Sequence, residues 1–179
     1  MPKPLGKITV VCGSMFAGKS EELIRLARRA LYAKRTVQVF KPKIDNRYDD
    51  TMVVTHMGVR HEAVAVDGIA DLRRKLDRSA QTVLIEEAQF FDESIVDLAV
   101  ELADRGVEVV LAGLDQDFRR KPFGPMAPLM AVADDVVKLR AICMKCGAPA
   151  IGWRGTGNFS GKTNSANARG PWSAPSRRW

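Results

Sequence analysis

The residues Gly13-Ser14-Met15-Phe16-Ala17-Gly18-Lys19-Ser20 fit the pattern G-x-x-x-x-G-K-[ST], whose chemistry is the cradling of phosphates. Glycines let the backbone turn its N–H groups toward an anion, and the start of a following helix adds partial positive charge. In that arrangement Lys19 reaches the β- and γ-phosphates and Ser20 holds a magnesium ion. A second chemical pair is Glu86-Glu87, two acids that close the apolar run Thr82-Val83-Leu84-Ile85. An acid at such a strand end faces the metal, and its neighbour can accept a proton from an attacking hydroxyl. Cys143 and Cys146 form a C-x-x-C pair, two of the four ligands that a structural zinc takes.

These groups need elements to position them. Lys7 to Cys12 is an apolar, β-branched run that reads as a buried strand, and Glu21 to Tyr32 has helical spacing, so strand, loop and helix follow in the required order. Thr36 to Phe40 is a second strand, which closes a β-α-β unit. Met52 to His56 and Val59 to Val66 read as a pair of short strands around Met57-Gly58, and Gly68 to Arg78 as a helix with Ile69, Leu72 and Leu76 inward. The strand ending in Glu86-Glu87 precedes a helix over Asp92 to Arg105, a strand over Val107 to Ala112, a short helix over Ala127 to Val132 and a last strand over Asp135 to Arg140. Alternating strands and helices predict an α/β fold: a P-loop, RecA-like, mostly parallel sheet with helices on both faces. Ligands of such sheets sit beyond the carboxyl ends of the strands, where Phe90, Phe118 and Phe123 fall; burial habits alone would put each of these rings in the core.

The chain of 179 residues has room for one sizeable domain and a small appendage. No stretch approaches the run of about 18 apolar residues that a membrane span needs, and Met1-Pro2-Lys3-Pro4 is not an apolar leader. Three cysteines, Cys12, Cys143 and Cys146, make no disulfide framework. The expectation is a cytoplasmic protein without membrane contact. Of the net charge of +7, residues 151–179 contribute +5, leaving +2 on residues 1–150. The near-neutral main domain argues against nucleic acid as a partner, although a basic tail behind a phosphate loop keeps a nucleic-acid-stimulated ATPase, or a nucleotide-binding protein without catalysis, as alternatives.

Several further stretches complete a pattern. They are Lys41-Pro42 with Asp45-Asn46-Arg47-Tyr48, Thr55-His56, Glu87-Ala88-Gln89-Phe90-Phe91, Gly113-Leu114-Asp115-Gln116-Asp117-Phe118 with Pro122-Phe123-Gly124, and Cys143-Met144-Lys145-Cys146-Gly147. In this order, with the phosphate loop, they resemble the small cytosolic (type II) thymidine kinases over about residues 5 to 150. The resemblance implies transfer of the ATP γ-phosphate to the 5′-hydroxyl of thymidine. It implies that Glu87 is the catalytic base, that residues 13–20 with Asp45 and Arg47 serve ATP, and that Ser20 and Glu86 serve magnesium. Met15, Phe90, Leu114, Phe118 and Phe123 match the family's deoxynucleoside pocket, whose apolar walls suit a flat base. The family is commonly a homotetramer.

Two departures stand out. The family usually carries Asp-Glu where this chain has Glu86-Glu87, one methylene longer at the metal side. From Ile151 the family pattern stops: Trp153 and Gly155 stand where a Thr-x-Arg element is expected, and no second cysteine pair follows. Residues 141–150 then read as the remnant of a truncated, zinc-type C-terminal subdomain behind a kinase domain of residues 1–140. A full zinc site is not expected from Cys143, Cys146 and the distant His56 and His61. Residues 151–179 hold all three tryptophans but only Ile151 among aliphatics larger than alanine, a composition expected to be disordered. The expected origin of the abrupt break is a frame change in the coding DNA near residue 150. The expectation is intact Mg-ATP binding with poor phosphorylation of thymidine, because the segment that should close over the nucleoside is replaced.

Overall fold

The computed structural model describes residues 5–43, 52–54, 60–144 and 146–151, with backbone only at 52–54 and 60–62. Asp45, Arg47, His56 and the tail beyond residue 151 lie outside the described residues, so the expectations made for them are not addressed by it.

Six strands form one sheet: β1 (Ile8–Gly13), β2 (Val37–Pro42), β5 (Val64–Val66), β6 (Thr82–Ile85), β7 (Glu108–Gly113) and β8 (Asp135–Leu139). Their order is β5-β2-β6-β7-β1-β8 and every pairing is parallel. Parallel sheets must be covered on both sides, so their strands read as apolar runs. Val10, Val11 and Cys12 are fully buried, as are Val83, Leu84 and Ile85. Along each strand the side chains alternate between two cores, because successive residues of a strand point to opposite faces. Val10, Cys12, Phe40, Val83, Ile85, Val109 and Leu111 join one core, and Val11, Val39, Leu84, Val110 and Ala112 the other.

Helix α1 (Lys19–Tyr32) covers the second of these faces with Leu23, Ile24 and Ala27. Full burial of a side chain such as Leu23 contributes about 1.5–3 kcal/mol. Glu21 and Glu22 stand in its first turn and Arg29 in its last, the polarity that suits the helix dipole. Helices α2 (Ile69–Lys75), α3 (Ser94–Asp104) and α4 (Met126–Val132) line the first face through Ile69, Leu72, Ile95, Leu98, Leu102, Met126 and Leu129.

The expected mostly parallel sheet with helices on both faces is present. Of the two short strands expected between Met52 and Val66, β3 (Met52–Val54) and β4 (Arg60–Glu62) pair antiparallel as a hairpin. The last part of the expected second strand is instead β5, which pairs with β2 at the sheet edge. Lys41 and Pro42 extend β2 rather than ending it, and buried Pro42 lies at the last rung. A second hairpin, β9 (Ala141–Ile142) with β10 (Pro149–Ala150), follows the sheet; two-residue strands leave too little periodicity to be read from sequence.

Asp71 ties α2 to this edge. Its carboxylate, only 7% exposed, accepts from Lys75 Nζ at 3.0 Å, from Arg74 at 2.5 Å and from the Asp67 N–H at 3.1 Å, and Lys75 also donates to the Ala65 carbonyl. The bonds from Lys75 and the Asp67 N–H lower its carboxyl from 3.8 to about 2. A carboxyl lowered on folding contributes stability that is complete above its unfolded value of about 4 and is lost as the pH falls through its folded value. Asp71→Asn is therefore expected to be less stable than wild type at pH 7, with the difference shrinking as the pH falls from about 4 toward 2. Urea midpoints at a series of pH values check this; a gap that stays constant would rule the linkage out.

Candidate active site

Parallel pairing brings the carboxyl ends of β6, β7 and β1 to one sheet edge, side by side, with neighbouring strands about 4.8 Å apart. The register pairs Ile85 with Leu111 and Gly113 with Cys12. The loops that leave these strands, at Glu86-Glu87, Leu114-Asp115 and Gly13-Ser20, therefore open on the same edge.

Gly13 closes β1 with φ 143°, and a Cβ there would lie 2.4 Å from the Leu139 carbonyl oxygen of β8. Only glycine allows the chain to leave the sheet so close to its neighbour. The loop ends at Gly18, in the left-handed region, and the first intrahelical bond runs from the Glu22 N–H to the Gly18 carbonyl at 3.0 Å. The N–H groups of residues 18–21 precede that bond and point out of the start of the helix, whose N-cap, Gly18, makes no side-chain cap. Together with the helix dipole they make an anion site of α1, a helix of 14 residues. Lys19 Nζ donates to the Ser14 carbonyl at 2.8 Å, folding the side chain over the loop, and Ser14 Oγ lies 3.5 Å from the Ala150 carbonyl of β10.

Glu86 follows β6 directly. Its N–H donates to the Phe40 carbonyl of β2 at 2.9 Å, so the sheet ladder itself sets where its side chain starts. That side chain is 7% exposed and accepts a hydrogen bond from Ser20 Oγ. The longer acid thus still reaches the hydroxyl at the phosphate loop. Ser20 and Glu86 offer a hydroxyl and a carboxylate, the hard oxygen donors that suit magnesium.

Glu87, half-buried, adopts φ 52° and ψ 43° and caps a short 3-10 turn over Ala88–Phe90. A left-handed non-glycine residue costs roughly 1–3 kcal/mol and persists only where its surroundings impose it. Gln89 Nε2 donates to the Glu87 carboxylate, and Gln89 Oε1 accepts from the Leu114 N–H at 3.0 Å.

The aromatic residues flank this edge. Phe90 and Phe118 are exposed rather than in the core. Phe90 meets Phe123 edge-on at 5.7 Å and 83°, an ordinary aromatic pairing geometry. The Arg119 guanidinium stands 5.0 Å over the Phe118 ring. Met15 and Leu114 are half-buried at the same strand ends.

Two features escape a sequence reading. Asp115, 3% exposed, pairs with Lys138 of β8 at 2.7 Å. Cys12 pairs with Gly113 on one side and Lys138 on the other, so this ion pair spans the strand that feeds the phosphate loop. The bond from Asp115 raises the Lys138 pKa. Burial, then the Asp115 charge, pushes the Cys12 thiol up, which leaves that cysteine as apolar floor beneath the loop rather than a nucleophile. Gln89 is the other: it lies inside a family-like stretch, but nothing in its spacing marks it as the link between two strand ends.

Cys143 and Cys146 flank a tight turn in which the Gly147 N–H donates to the Cys143 carbonyl at 2.8 Å. Among the described residues no group of three or more His, Cys, Asp or Glu is gathered as a metal site. No described helix is long and apolar enough to cross a membrane.

A solved structure described as an ATPase is similar over 76% of this chain and 66% of its own, at a TM-score of 0.42 and 13% identity. Two thymidine kinases, from two strains of Porphyromonas gingivalis, are each 54% identical to this chain over 142 residues, 79% of its length and 69% of theirs. The family model for thymidine kinase matches residues 6–156, which takes in the sheet, the phosphate loop and both acids, and ends six residues past Ala150. On that match and that identity, the chain belongs to the thymidine kinase family.

Proposed function

We propose that this protein transfers the γ-phosphate of ATP to the 5′-hydroxyl of thymidine at the edge formed by β1, β7 and β6. The observation that carries the reading is the hydrogen bond between Ser20 of the phosphate loop and Glu86, with Glu87 next in the chain. Phosphoryl transfer asks for positioning and charge neutralisation more than covalent chemistry, and the chain's groups are suited to both. The loop N–H groups of residues 13–18 and Lys19 hold the phosphates, with Asp45 and Arg47 assigned to the same side by the family pattern. Glu87 takes the proton of the attacking hydroxyl. Met15, Phe90, Leu114, Phe118 and Phe123 wall the deoxynucleoside. Ser20 and Glu86 hold magnesium, which when bound offsets charge on the phosphates.

Cys143 and Cys146 supply two sulfur ligands where structural zinc takes four; zinc enters no part of the reaction. To this reading we add assembly as a homotetramer, which the family resemblance implies, and a cytoplasmic location and a division into residues 1–140, 141–150 and 151–179, which the sequence pattern supports. Because residues 153 and 155 lack the Thr-x-Arg element, turnover is expected to be slower than that of the Porphyromonas relatives. Release of ADP, followed with thymidine, deoxycytidine or single-stranded DNA as the added component, tests the proposal. Stimulation by thymidine is the expected result. Stimulation by single-stranded DNA alone would replace the kinase with the ATPase that the basic tail would serve.

A further inference from the structure

We propose that Gln89 is a positioning residue for this transfer, one side chain that fixes the base Glu87 to the backbone of the nucleoside-side loop at Leu114; the inference rests on the reaction proposed above. Gln89 is 3% exposed, and a buried amide is costly unless its groups are paired. Its two ends are paired across different strand ends. Nε2 donates to the Glu87 carboxylate after β6, and Oε1 accepts from the Leu114 N–H after β7.

The arrangement has only one workable sense. The carboxylate can only accept and the Leu114 N–H can only donate, so turning the amide over would set oxygen against carboxylate and NH2 against N–H. The space for it is also specific. A Cβ on Gly113, the last residue of β7, would come within 2.6 Å of Gln89 Oε1, so the glycine admits the amide between the strands. Glu87 itself sits in a left-handed conformation that local sequence does not favour. A bond from a buried donor gives its carboxylate a defined direction despite that backbone. A base must lie within about 2.6–3.2 Å of the proton it takes, and misplacement by about 1 Å can cost a hundredfold. A tie from the base to the loop that carries the nucleoside pocket therefore bears on the chemical step rather than on ATP.

The test measures thymidine phosphorylation and ATP binding by Gln89→Met and Gln89→Glu. Met has similar length and loses both bonds. Glu keeps an acceptor for the Leu114 N–H but places a carboxylate against Glu87. Both variants are expected to lose about 10- to 100-fold in kcat, with KM for ATP and the dissociation constant for a fluorescent ADP analogue within about twofold of wild type. In a Glu87→Gln background, Gln89→Met is expected to cost less than about threefold more, because the two residues act as one unit. An equal loss in both backgrounds, or wild-type kcat in a folded Gln89→Met or Gln89→Glu protein, would overturn the proposal. If Gln89→Met fails to bind the ADP analogue, Gln89→Glu alone decides. No thymidine-dependent transfer by wild type would remove the proposed reaction and this role together; transfer by wild type with unaffected variants would remove this role alone.

Discussion

Replacing Glu87 by Gln is expected to lower thymidine phosphorylation by about 10²–10⁴-fold, the range that general-base catalysis contributes. The substitution keeps the shape and one carbonyl oxygen, and removes the negative charge and with it the capacity to take a proton from the 5′-hydroxyl. Its neighbours favour a clean result. Glu87 is half-buried, outside the two hydrophobic cores, and the contact between phosphate loop and strand end is made by Glu86 through Ser20. Nucleotide binding is therefore expected to stay within about twofold of wild type, since the Ser20–Glu86 bond at the phosphate loop is kept. Equilibrium binding of a fluorescent ADP analogue beside the transfer assay separates the two effects. Activity near that of wild type would assign the proton to another group.

Lys19→Met should act on both binding and turnover. Lys19 is the charge of the phosphate loop, placed by the first turn of α1, and its Nζ already leans over the loop to the Ser14 carbonyl. Removing one preorganised donor to developing charge costs about 10²–10³-fold in turnover. A methionine retains the length of the side chain and its apolar stem, so the fold should be unaffected and the melting temperature without nucleotide should match that of wild type within a few degrees. The contrast with Glu87→Gln is the informative part: weaker ATP binding in Lys19→Met, ordinary ATP binding in Glu87→Gln. Isothermal titration with ATP and magnesium reads it directly, and equal ATP affinity in wild type and Lys19→Met would contradict the assigned role.

Much of this site could be read before any coordinates, because its parts are local. The loop from Gly13 to Ser20 carries its own turn chemistry, and the acids at Glu86 and Glu87 announce themselves by ending an apolar run. What could not be read depends on register between distant strands. Gln89 gains its role only because β6 and β7 are neighbours and Gly113 lacks a side chain. Lys138 meets Asp115 only because β1 lies between β7 and β8. Burial habits would have placed Phe90 and Phe118 inside, yet both are exposed at the site edge, since a ring past a strand end answers to the loop and not to the sheet. Lys41-Pro42 reads as a stop because proline cannot donate to a ladder; it is tolerated at the final rung of β2, where among the described strands only the short β5 reaches that far.

The longer acid at Glu86 is a case in which sequence raised a difficulty that geometry answers. One added methylene could have carried the carboxylate away from the loop, but it still accepts from Ser20 Oγ. The phosphate loop therefore keeps its link to the strand end through Ser20 and Glu86.

The most direct measurement incubates the full chain and magnesium with ATP labelled at the γ-phosphate and separates the products. The account predicts that label moves to thymidine as its 5′-monophosphate, more slowly than with the Porphyromonas relatives, and that it does so to neither deoxycytidine nor single-stranded DNA. Label released as free phosphate at the same rate with and without thymidine, and none in the nucleotide product, would contradict it.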